Sequence, residues 1–275
     1  MTSIRERLTP VPGGLIRSLE TGPDQADRVV VVPGLDFVGY LMPLARELAQ
    51  RGIACSVLDV PGFGSRLPLV SDATVPGIAE AVGDWLLTQP PGRVLLAGHS
   101  TGAQNALRAA LMVQDSRDLE ALLLAGPTFV PAQRRLRRLA LATTTAYRRD
   151  TPGQLVVLRD LVRGRADVGR LILDGMKDTP EDSLCHLRAP VLLTSGRHDS
   201  FAPQPWLATL RSAAVGSPWP ARVVQLPGSH NNPYTHANLL AMLIETVWNG
   251  SLRVSSGVGR QRDDLPALDR AQDAR

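Results

Sequence analysis

The sequence contains few cysteines, few aromatic residues and almost no lysine. Cys55 and Cys185 are its only cysteines, too few for a disulfide framework or a thiolate metal site, so we expect two buried free thiols. Aromatic residues make up 4% of the 275 residues, and 29 of the 30 basic residues are arginine, a bias typical of GC-rich genomes. Because no basic run is interleaved with aromatic side chains, we expect no nucleic-acid partner.

Long uncharged apolar runs are missing as well. No such run approaches about 18 residues, the length that crosses a bilayer. The segment from Met1 to Arg7 lacks the apolar core of a signal peptide. We therefore expect a cytoplasmic protein with no membrane partner. A hydrophobic fraction of 44% and a charged fraction of 20% are typical of a globular chain, and the length fits one domain with an insertion.

Short apolar runs alternate with segments of helical periodicity over most of the chain. The runs cover residues 28–33, 53–60, 93–98, 119–126, 190–196 and 221–226. They are too apolar to face water on either side, as is typical of buried parallel strands. Between them, apolar residues recur at helical spacing within 41–48, 103–111 and 239–247. This alternation predicts an α/β fold with a mostly parallel central sheet flanked by helices.

One stretch interrupts this alternation. Residues 128–187 contain no clean strand pattern but two amphipathic helical patterns, which predict an inserted helical cap. The core would then comprise 1–127 and 188–250, followed by a disordered tail at 251–275. Residues 127–190 carry 12 Lys or Arg against 7 Asp or Glu. This positive excess fits either a solvated helix face or a surface for an anionic or carrier-linked substrate.

A serine between two glycines directly follows the third apolar run. The sequence Gly98-His99-Ser100-Thr101-Gly102 lies between a predicted strand and a predicted helix. In that position G-x-S-x-G forms a sharp turn that exposes the serine oxygen, and the glycines relieve its steric clashes. Ser100 is therefore our candidate nucleophile. The N–H of Thr101, at the start of a helix, is a candidate donor to a developing oxyanion.

A serine nucleophile needs a base, and the base needs a residue that orients it. Among the five histidines, His230 follows the last predicted strand and precedes the last predicted helix, at the sheet edge where ligands bind in open α/β folds. Asp199 is the only carboxylate in the polar loop after the preceding strand, and its alternative role is to cap a turn. We therefore predict Ser100, Asp199 and His230 as the catalytic residues.

The loop after the first apolar run supplies further candidates. Gly34 allows close backbone approach, and Leu35 is our candidate for the second N–H donor to the oxyanion. Asp36 is either a turn residue or a group that orients substrate or water. Asn231 and Asn232 either bind a polar substrate or form a turn. Because the sequence has no His-rich or carboxylate-rich cluster, we expect no metal and no organic cofactor.

Taken together, these segments resemble the α/β-hydrolase superfamily. The resemblance covers about residues 28–250 and rests on VVVVPGLDF, LDVPGFGSR, AGHSTG, TSGRHDSFAP and PGSHNN, which follow one another in that family's order. It implies the family's fold, a helical cap between the sixth and seventh strands, and acyl-enzyme catalysis with the triad in the order serine, acid, base. Two departures stand out. Many relatives have His-Gly where this chain has Pro33-Gly34, and apolar or aromatic residues are more usual than Asn231-Asn232 after the base.

Three functions follow from this interpretation. The first is a serine hydrolase that acts on a carboxylic ester, thioester or lactone of a small molecule. The second is a secondary-metabolite biosynthetic enzyme on the same fold, namely a thioesterase, a cyclase or an acyl-eliminating lyase in which His230 removes a carbon-bound proton. The third is a non-catalytic binding protein, against which the complete set of serine, acid and base argues.

Overall fold

The computed structural model describes residues 3–65, 67–146 and 165–250, and in these residues eight strands form one sheet. The strands are β1 Arg5–Val11, β2 Gly14–Thr21, β3 Arg28–Val32, β4 Cys55–Asp59, β5 Val94–His99, β6 Leu119–Ala125, β7 Val191–Gly196 and β8 Arg222–Leu226. Their order in the sheet is β1-β2-β4-β3-β5-β6-β7-β8. The pairs β1–β2 and β2–β4 are antiparallel and the other pairs are parallel. The predicted mostly parallel sheet is confirmed, and β1 and β2 extend it beyond the six predicted strands.

Helices cover both faces of this sheet. They are α1 Met42–Gln50, α2 Val75–Thr88, α3 Thr101–Val113, α4 Leu136–Ala146, α5 Arg165–Gly175, α6 Pro180–Ser183, α7 Gln204–Ala213, α8 Asn232–Thr235 and α9 Ala237–Trp248. The apolar faces of α1 and α9 pack on one side of the sheet, and those of α2, α3 and α7 pack on the other. The predicted arrangement of a sheet flanked by helices is therefore also confirmed.

The central strands contribute side chains to both of these apolar layers. In β3, Val29 and Val31 belong to the layer with α1 and α9, whereas Val30 and Val32 belong to the layer with α2 and α3. All four are buried, because successive side chains of a strand point to opposite faces. This explains why the central strands are continuous apolar runs in the sequence rather than alternating ones.

Four of the parallel strands end at the same edge of the sheet, close to the polar segments singled out above. Ser100 directly follows β5, and Gly126 directly follows β6. Asp199 lies three residues beyond β7, and His230 lies four residues beyond β8. The common edge of these parallel strands therefore brings together residues that are up to 130 positions apart in the chain.

The described residues between β6 and β7 form helices that contact the core. The Asp174 carboxylate, near the end of α5, accepts a hydrogen bond from the Val75 N–H at the start of α2 (2.7 Å). Gln104 of α3 donates to the Gly175 carbonyl (2.9 Å), and Arg108 of α3 donates to the Asp178 carboxylate (2.9 Å). The boundaries of the predicted cap at 128–187 stay a prediction, and its residues 147–164 and the predicted tail at 251–275 lie outside the described residues.

Candidate active site

Ser100 occupies a strained turn between β5 and α3. Its backbone has φ 58° and ψ −125°, in a region that side chains disfavour. Neighbouring backbone passes so close that a Cβ atom at Gly98 would collide with the Gly102 carbonyl oxygen, and one at Gly102 would collide with the Val32 carbonyl oxygen. Both glycines of the G-x-S-x-G sequence are thus required by close backbone approach, as the pattern predicts.

Ser100, His230 and Asp199 form one hydrogen-bonded chain. The Ser100 Oγ lies 2.9 Å from His230 Nε2, and His230 Nδ1 lies 3.0 Å from Asp199 Oδ2. Because an ionised carboxylate only accepts, Nδ1 carries the ring proton, and in the neutral ring Nε2 then accepts from the Ser100 hydroxyl. The structure brings together the three residues that the sequence suggested from separate loops.

The Asp199 carboxylate is buried and held in place by three donors. Its Oδ1 accepts from the backbone N–H groups of Phe201 (2.9 Å) and Ala202 (3.1 Å), while Oδ2 accepts from His230. Burial tends to raise the pKa of Asp199, but the His230 ring and the two amides outweigh it, and the net pKa is lowered. The carboxylate is therefore ionised at neutral pH and oriented toward His230.

Two further residues enclose the side chains of Asp199 and His230. Gly126, at φ 55°, lies against them: a Cβ atom there would be 3.1 Å from Asp199 Oδ2 and 3.2 Å from His230 Nδ1. The Phe201 ring packs edge-on against the His230 imidazole, with 4.7 Å between ring centroids. Both the ring orientation and the space for the carboxylate are thus set by direct contact.

The predicted oxyanion donors lie on two adjacent segments. Gly34 approaches Ser100 so closely that a Cβ atom there would be 2.7 Å from the Ser100 Cβ. The Leu35 N–H donates to Thr101 Oγ1 (2.8 Å), and Leu35 has a left-handed backbone, with φ 47°. Thr101 begins α3, so its N–H has no partner within that helix. The Thr101 N–H thus belongs to the residue that follows Ser100, and the Leu35 N–H lies against the Thr101 hydroxyl.

Tyr40 and His99, which are not among the predicted site residues, both contact the site. The Gly34 N–H donates to the Tyr40 hydroxyl (2.8 Å), which lies 2.7 Å from His99 Nδ1. On the other side of its ring, His99 Nε2 lies 2.9 Å from the carbonyl oxygen of His230. No local sequence signal pairs Tyr40 with His99, because they are 59 residues apart.

The remaining sequence candidates are placed as follows. Asp36 ends a 3₁₀ turn, Gly34–Asp36, and its side chain lies outside what the structure describes. Asn231 and Asn232 are both buried at the start of α8, where the Asn231 carbonyl accepts from the Tyr234 N–H (2.9 Å). Neither amide atom of the Asn232 side chain has a hydrogen-bond partner among the described residues. The turn-forming interpretation of Asn231 agrees with this geometry, while substrate contact stays a prediction.

The described residues contain neither a cluster of metal ligands nor a helix that could span a membrane. Within residues 3–65, 67–146 and 165–250, no three His, Cys, Asp or Glu side chains are grouped so that they could hold a metal ion. Over the same residues, no helix has the length and apolar character needed to cross a membrane.

Comparison with known proteins gives one family and many similar structures. A model of the alpha/beta hydrolase family matches residues 29–243. No curated protein sequence matches significantly. A membrane phospholipase A described as a bacterial virulence factor is 18% identical, with a TM-score of 0.73 over 92% of this chain and 87% of its own. The thioesterase domain from the curacin biosynthetic pathway is 20% identical, with a TM-score of 0.68 over 89% of this chain and 99% of its own. The enol-lactonase from Burkholderia xenovorans LB400 is 20% identical, with a TM-score of 0.68 over 88% of this chain and 100% of its own.

Proposed function

The chain belongs to the alpha/beta hydrolase family, and from this premise we propose that it is a serine hydrolase that cleaves a carboxylic ester, thioester or lactone of a small molecule. The observation that carries the proposal is the hydrogen-bonded chain in which His230 contacts both the Ser100 hydroxyl, at 2.9 Å, and the Asp199 carboxylate, at 3.0 Å. A base in this position lowers the barrier to attack by a hydroxyl that is a weak nucleophile at neutral pH.

In the proposed reaction, Ser100 Oγ attacks the substrate carbonyl carbon while its proton passes to His230 Nε2. The tetrahedral intermediate collapses when His230 returns this proton to the departing alcohol or thiol, which leaves an acyl group on Ser100. Water then attacks the acyl carbon with His230 as the base, and the acid is released when the bond from the acyl carbon to Ser100 Oγ breaks and His230 returns the proton to that oxygen. Asp199 keeps the imidazole in the required tautomer and stabilises its protonated form.

The oxyanion of each tetrahedral intermediate would be bound by the N–H groups of Thr101 and Leu35. Each such donor contributes about 3 kcal/mol to transition-state stabilisation in serine hydrolases. The Leu35 N–H, which donates to Thr101 Oγ1 in this structure, would be shared with the oxyanion. Leu35 also has a left-handed backbone, which costs a non-glycine residue about 1–2 kcal/mol. Strain of this kind clusters at active sites, where the surrounding structure enforces it, and it therefore supports the proposed role of Leu35.

We also propose that the helices between β6 and β7 act as a cap over this site. The Ser200 hydroxyl donates to the Ala142 carbonyl of α4 (2.8 Å), and Leu139 and Ala142 pack against Phe201, the residue that covers the His230 ring. A substrate that enters between α4 and the strand ends would therefore contact the same residues that hold the base. Side chains of this segment would select the acyl or alcohol group.

The decisive experiment combines a serine-directed probe with a substrate panel. A fluorophosphonate should label the wild-type protein at Ser100, and one or more members of a panel of esters, thioesters and lactones should be turned over. Ser100→Ala should abolish labelling and reduce kcat by at least about 10³-fold. Ser212→Ala, which removes an exposed hydroxyl of α7, is the matched control and should behave as wild type.

Each outcome of this experiment decides between the proposed and the alternative functions. Turnover in ¹⁸O-water that places the label in the product acid supports hydrolysis, whereas Ser100-dependent product without solvent oxygen would indicate elimination or cyclisation. Folded wild-type protein that is not labelled, under conditions that label a control esterase, would refute the proposal and favour a binding protein.

A further inference from the structure

A second hydrogen-bonded chain joins the turn Gly34–Asp36, here called the oxyanion loop, to the candidate base His230. It starts at the Gly34 N–H, passes through the Tyr40 hydroxyl (2.8 Å) and His99 Nδ1 (2.7 Å), and ends from His99 Nε2 at the main-chain carbonyl of His230 (2.9 Å). The rings of this chain also contact one another. Tyr40 and His99 meet edge-on with 5.3 Å between centroids, and His99 lies 4.9 Å from the His230 ring.

The direction of every hydrogen bond in this chain follows from the chemistry of its ends. The His230 carbonyl can only accept, so His99 Nε2 must carry the proton of the neutral ring. His99 Nδ1 then accepts, which requires the Tyr40 hydroxyl to donate to it. The Tyr40 oxygen is thereby left to accept from the Gly34 N–H. Each of the three bonds thus has a defined donor and acceptor, and with a neutral His99 ring only one arrangement of protons satisfies them all.

Burial keeps His99 in the neutral form that this arrangement needs. Its side chain is 3% exposed. Burial, and to a lesser extent the neighbouring His230, lower the pKa of His99 to about 3. The hydrogen bond to the His230 carbonyl and the charge of Asp199 act in the opposite direction, and both effects are smaller. The ring is therefore uncharged over the pH range in which a serine hydrolase operates.

Both ends of the chain are main-chain groups of the segments that do the proposed chemistry. Gly34 precedes the candidate donor Leu35 and touches Ser100, and His230 is the candidate base. Pro33 has no N–H and a ring with no polar atom, so the residue before Gly34 cannot supply a side-chain brace of this kind. Tyr40, from the adjacent 3₁₀ turn Val38–Leu41, supplies the hydrogen bond instead.

We propose that Tyr40 and His99 are positioning residues that hold the oxyanion loop and the base at a fixed spacing around Ser100. This inference rests on the proposed function, because it assigns these residues a role in the reaction of that same site. Loss of the chain would leave all three catalytic side chains present but would let the Gly34 and His230 main chains shift relative to one another. Small shifts of this kind reduce reaction rates far more than they reduce binding.

The rate of fluorophosphonate labelling tests this without knowledge of the substrate. In that reaction the Ser100 Oγ–phosphorus bond forms, the phosphorus–fluorine bond breaks with release of fluoride, and the serine proton passes to His230. The P=O oxygen occupies the position of the oxyanion. The maximal labelling rate, kinact, therefore reports on transition-state positioning, and the half-saturating concentration, KI, reports on probe binding.

Tyr40→Phe removes the hydroxyl, and His99→Asn keeps an acceptor for Tyr40 but loses the donor to His230. We expect each to lower kinact by about 10-fold to 100-fold with little change in KI. Because both act through one chain, the double variant should be no slower than the slower single variant, whereas independent effects would multiply. Tyr234→Phe and His186→Gln, both at exposed positions, are the matched controls and should label like the wild type.

The outcomes separate this inference from the proposed function. Wild-type protein that resists the probe would refute the proposed function, and the inference would fall with it. Ser100 labelling at wild-type kinact in Tyr40→Phe or in His99→Asn would refute the inference alone, as would multiplicative losses in the double variant. If Tyr40→Phe fails to fold, His99→Asn decides by itself. A lower melting temperature with unchanged kinact at 25 °C would reveal a purely structural role and would also overturn the inference.

Discussion

Gly126 offers a test of how tightly the acid and base are held. In Gly126→Ala, the new Cβ atom would be 3.1 Å from Asp199 Oδ2 and 3.2 Å from both His230 Nδ1 and Cε1. Carbon atoms normally approach such groups no closer than about 3.5 Å, so the acid and base must shift by a few tenths of an ångström. Both are buried, which leaves them little room to do so.

The expected effect of Gly126→Ala has two parts, a loss of folding stability and a loss of reaction rate. A φ of 55° costs a non-glycine residue about 1–2 kcal/mol of folding stability wherever it occurs. Gly52 has a similar φ of 72°, but nothing lies within 4 Å of a Cβ atom built there, so Gly52→Ala carries the backbone cost without the steric one. Displacement of a positioned base by a few tenths of an ångström should lower kcat about 10-fold, or about 1.4 kcal/mol of transition-state stabilisation.

The assay is a pair of measurements on both variants. Urea unfolding should show a loss of about 1–2 kcal/mol in the free energy of unfolding for Gly52→Ala and a loss at least as large for Gly126→Ala, which adds the steric contact. The labelling or turnover rate of the folded protein should fall only in Gly126→Ala. Wild-type activity in Gly126→Ala, or an equal loss of activity in Gly52→Ala, would refute the reasoning that Gly126 sets the position of Asp199 and His230.

Three further predictions concern other parts of the site and its support. Asp199→Asn should fold normally but lower kcat by about 10⁴-fold, because an amide permits the wrong His230 tautomer; steady-state kinetics at neutral pH would show this, and a loss below 10-fold would contradict it. At pH values between the unperturbed pKa of 6.5 and the folded-state pKa of about 3, His99 binds a proton only in the unfolded protein. The contribution of the buried neutral His99 to the free energy of unfolding is therefore fully present above pH 6.5 and is lost as the pH falls. The slope is about 1.4 kcal/mol per pH unit, and the free energy of unfolding of His99→Gln should therefore depend less steeply on pH between 4 and 6 than that of the wild type. Asp178→Ala leaves Arg108 and Gln104 without their carboxylate partner and should lower the free energy of unfolding by about 1–3 kcal/mol in urea titrations, whereas no loss would show that this contact between α3 and the inserted helices is not stabilising.

The sequence predicted the inner part of the fold better than its edge. The inner strands β3, β5 and β7 are buried at every position, so their apolar runs separate them from surface helices and loops. β1 and β2 form a hairpin at the edge, and the first four residues of β1, Arg5 to Leu8, are exposed. Such strands carry charged residues and lack the continuous apolar run on which the prediction depended.

The same distinction applies to the candidate site. Ser100, Asp199 and His230 each directly follow or lie a few residues beyond a strand that is recognisable by itself, so their proximity could be predicted from the rule that parallel strands end at one edge. The contacts of Gly126 could not be predicted in this way. They depend on the left-handed turn after β6, and a glycine in a sequence does not reveal what its missing side chain would touch.

The oxyanion loop shows most clearly where prediction from the sequence stops. That Leu35 adopts φ 47° and donates to a threonine 66 residues away depends on the approach of two loops, not on any local preference of leucine. Its neighbour Gly34 is held by Tyr40 through a hydroxyl that could equally have pointed to solvent in an isolated turn. Main-chain N–H groups carry no sequence signature, since every residue except proline has one. The proposed oxyanion site consists of such groups, so the side chains that orient them, those of Thr101, Tyr40 and His99, are the ones whose substitution should reveal it.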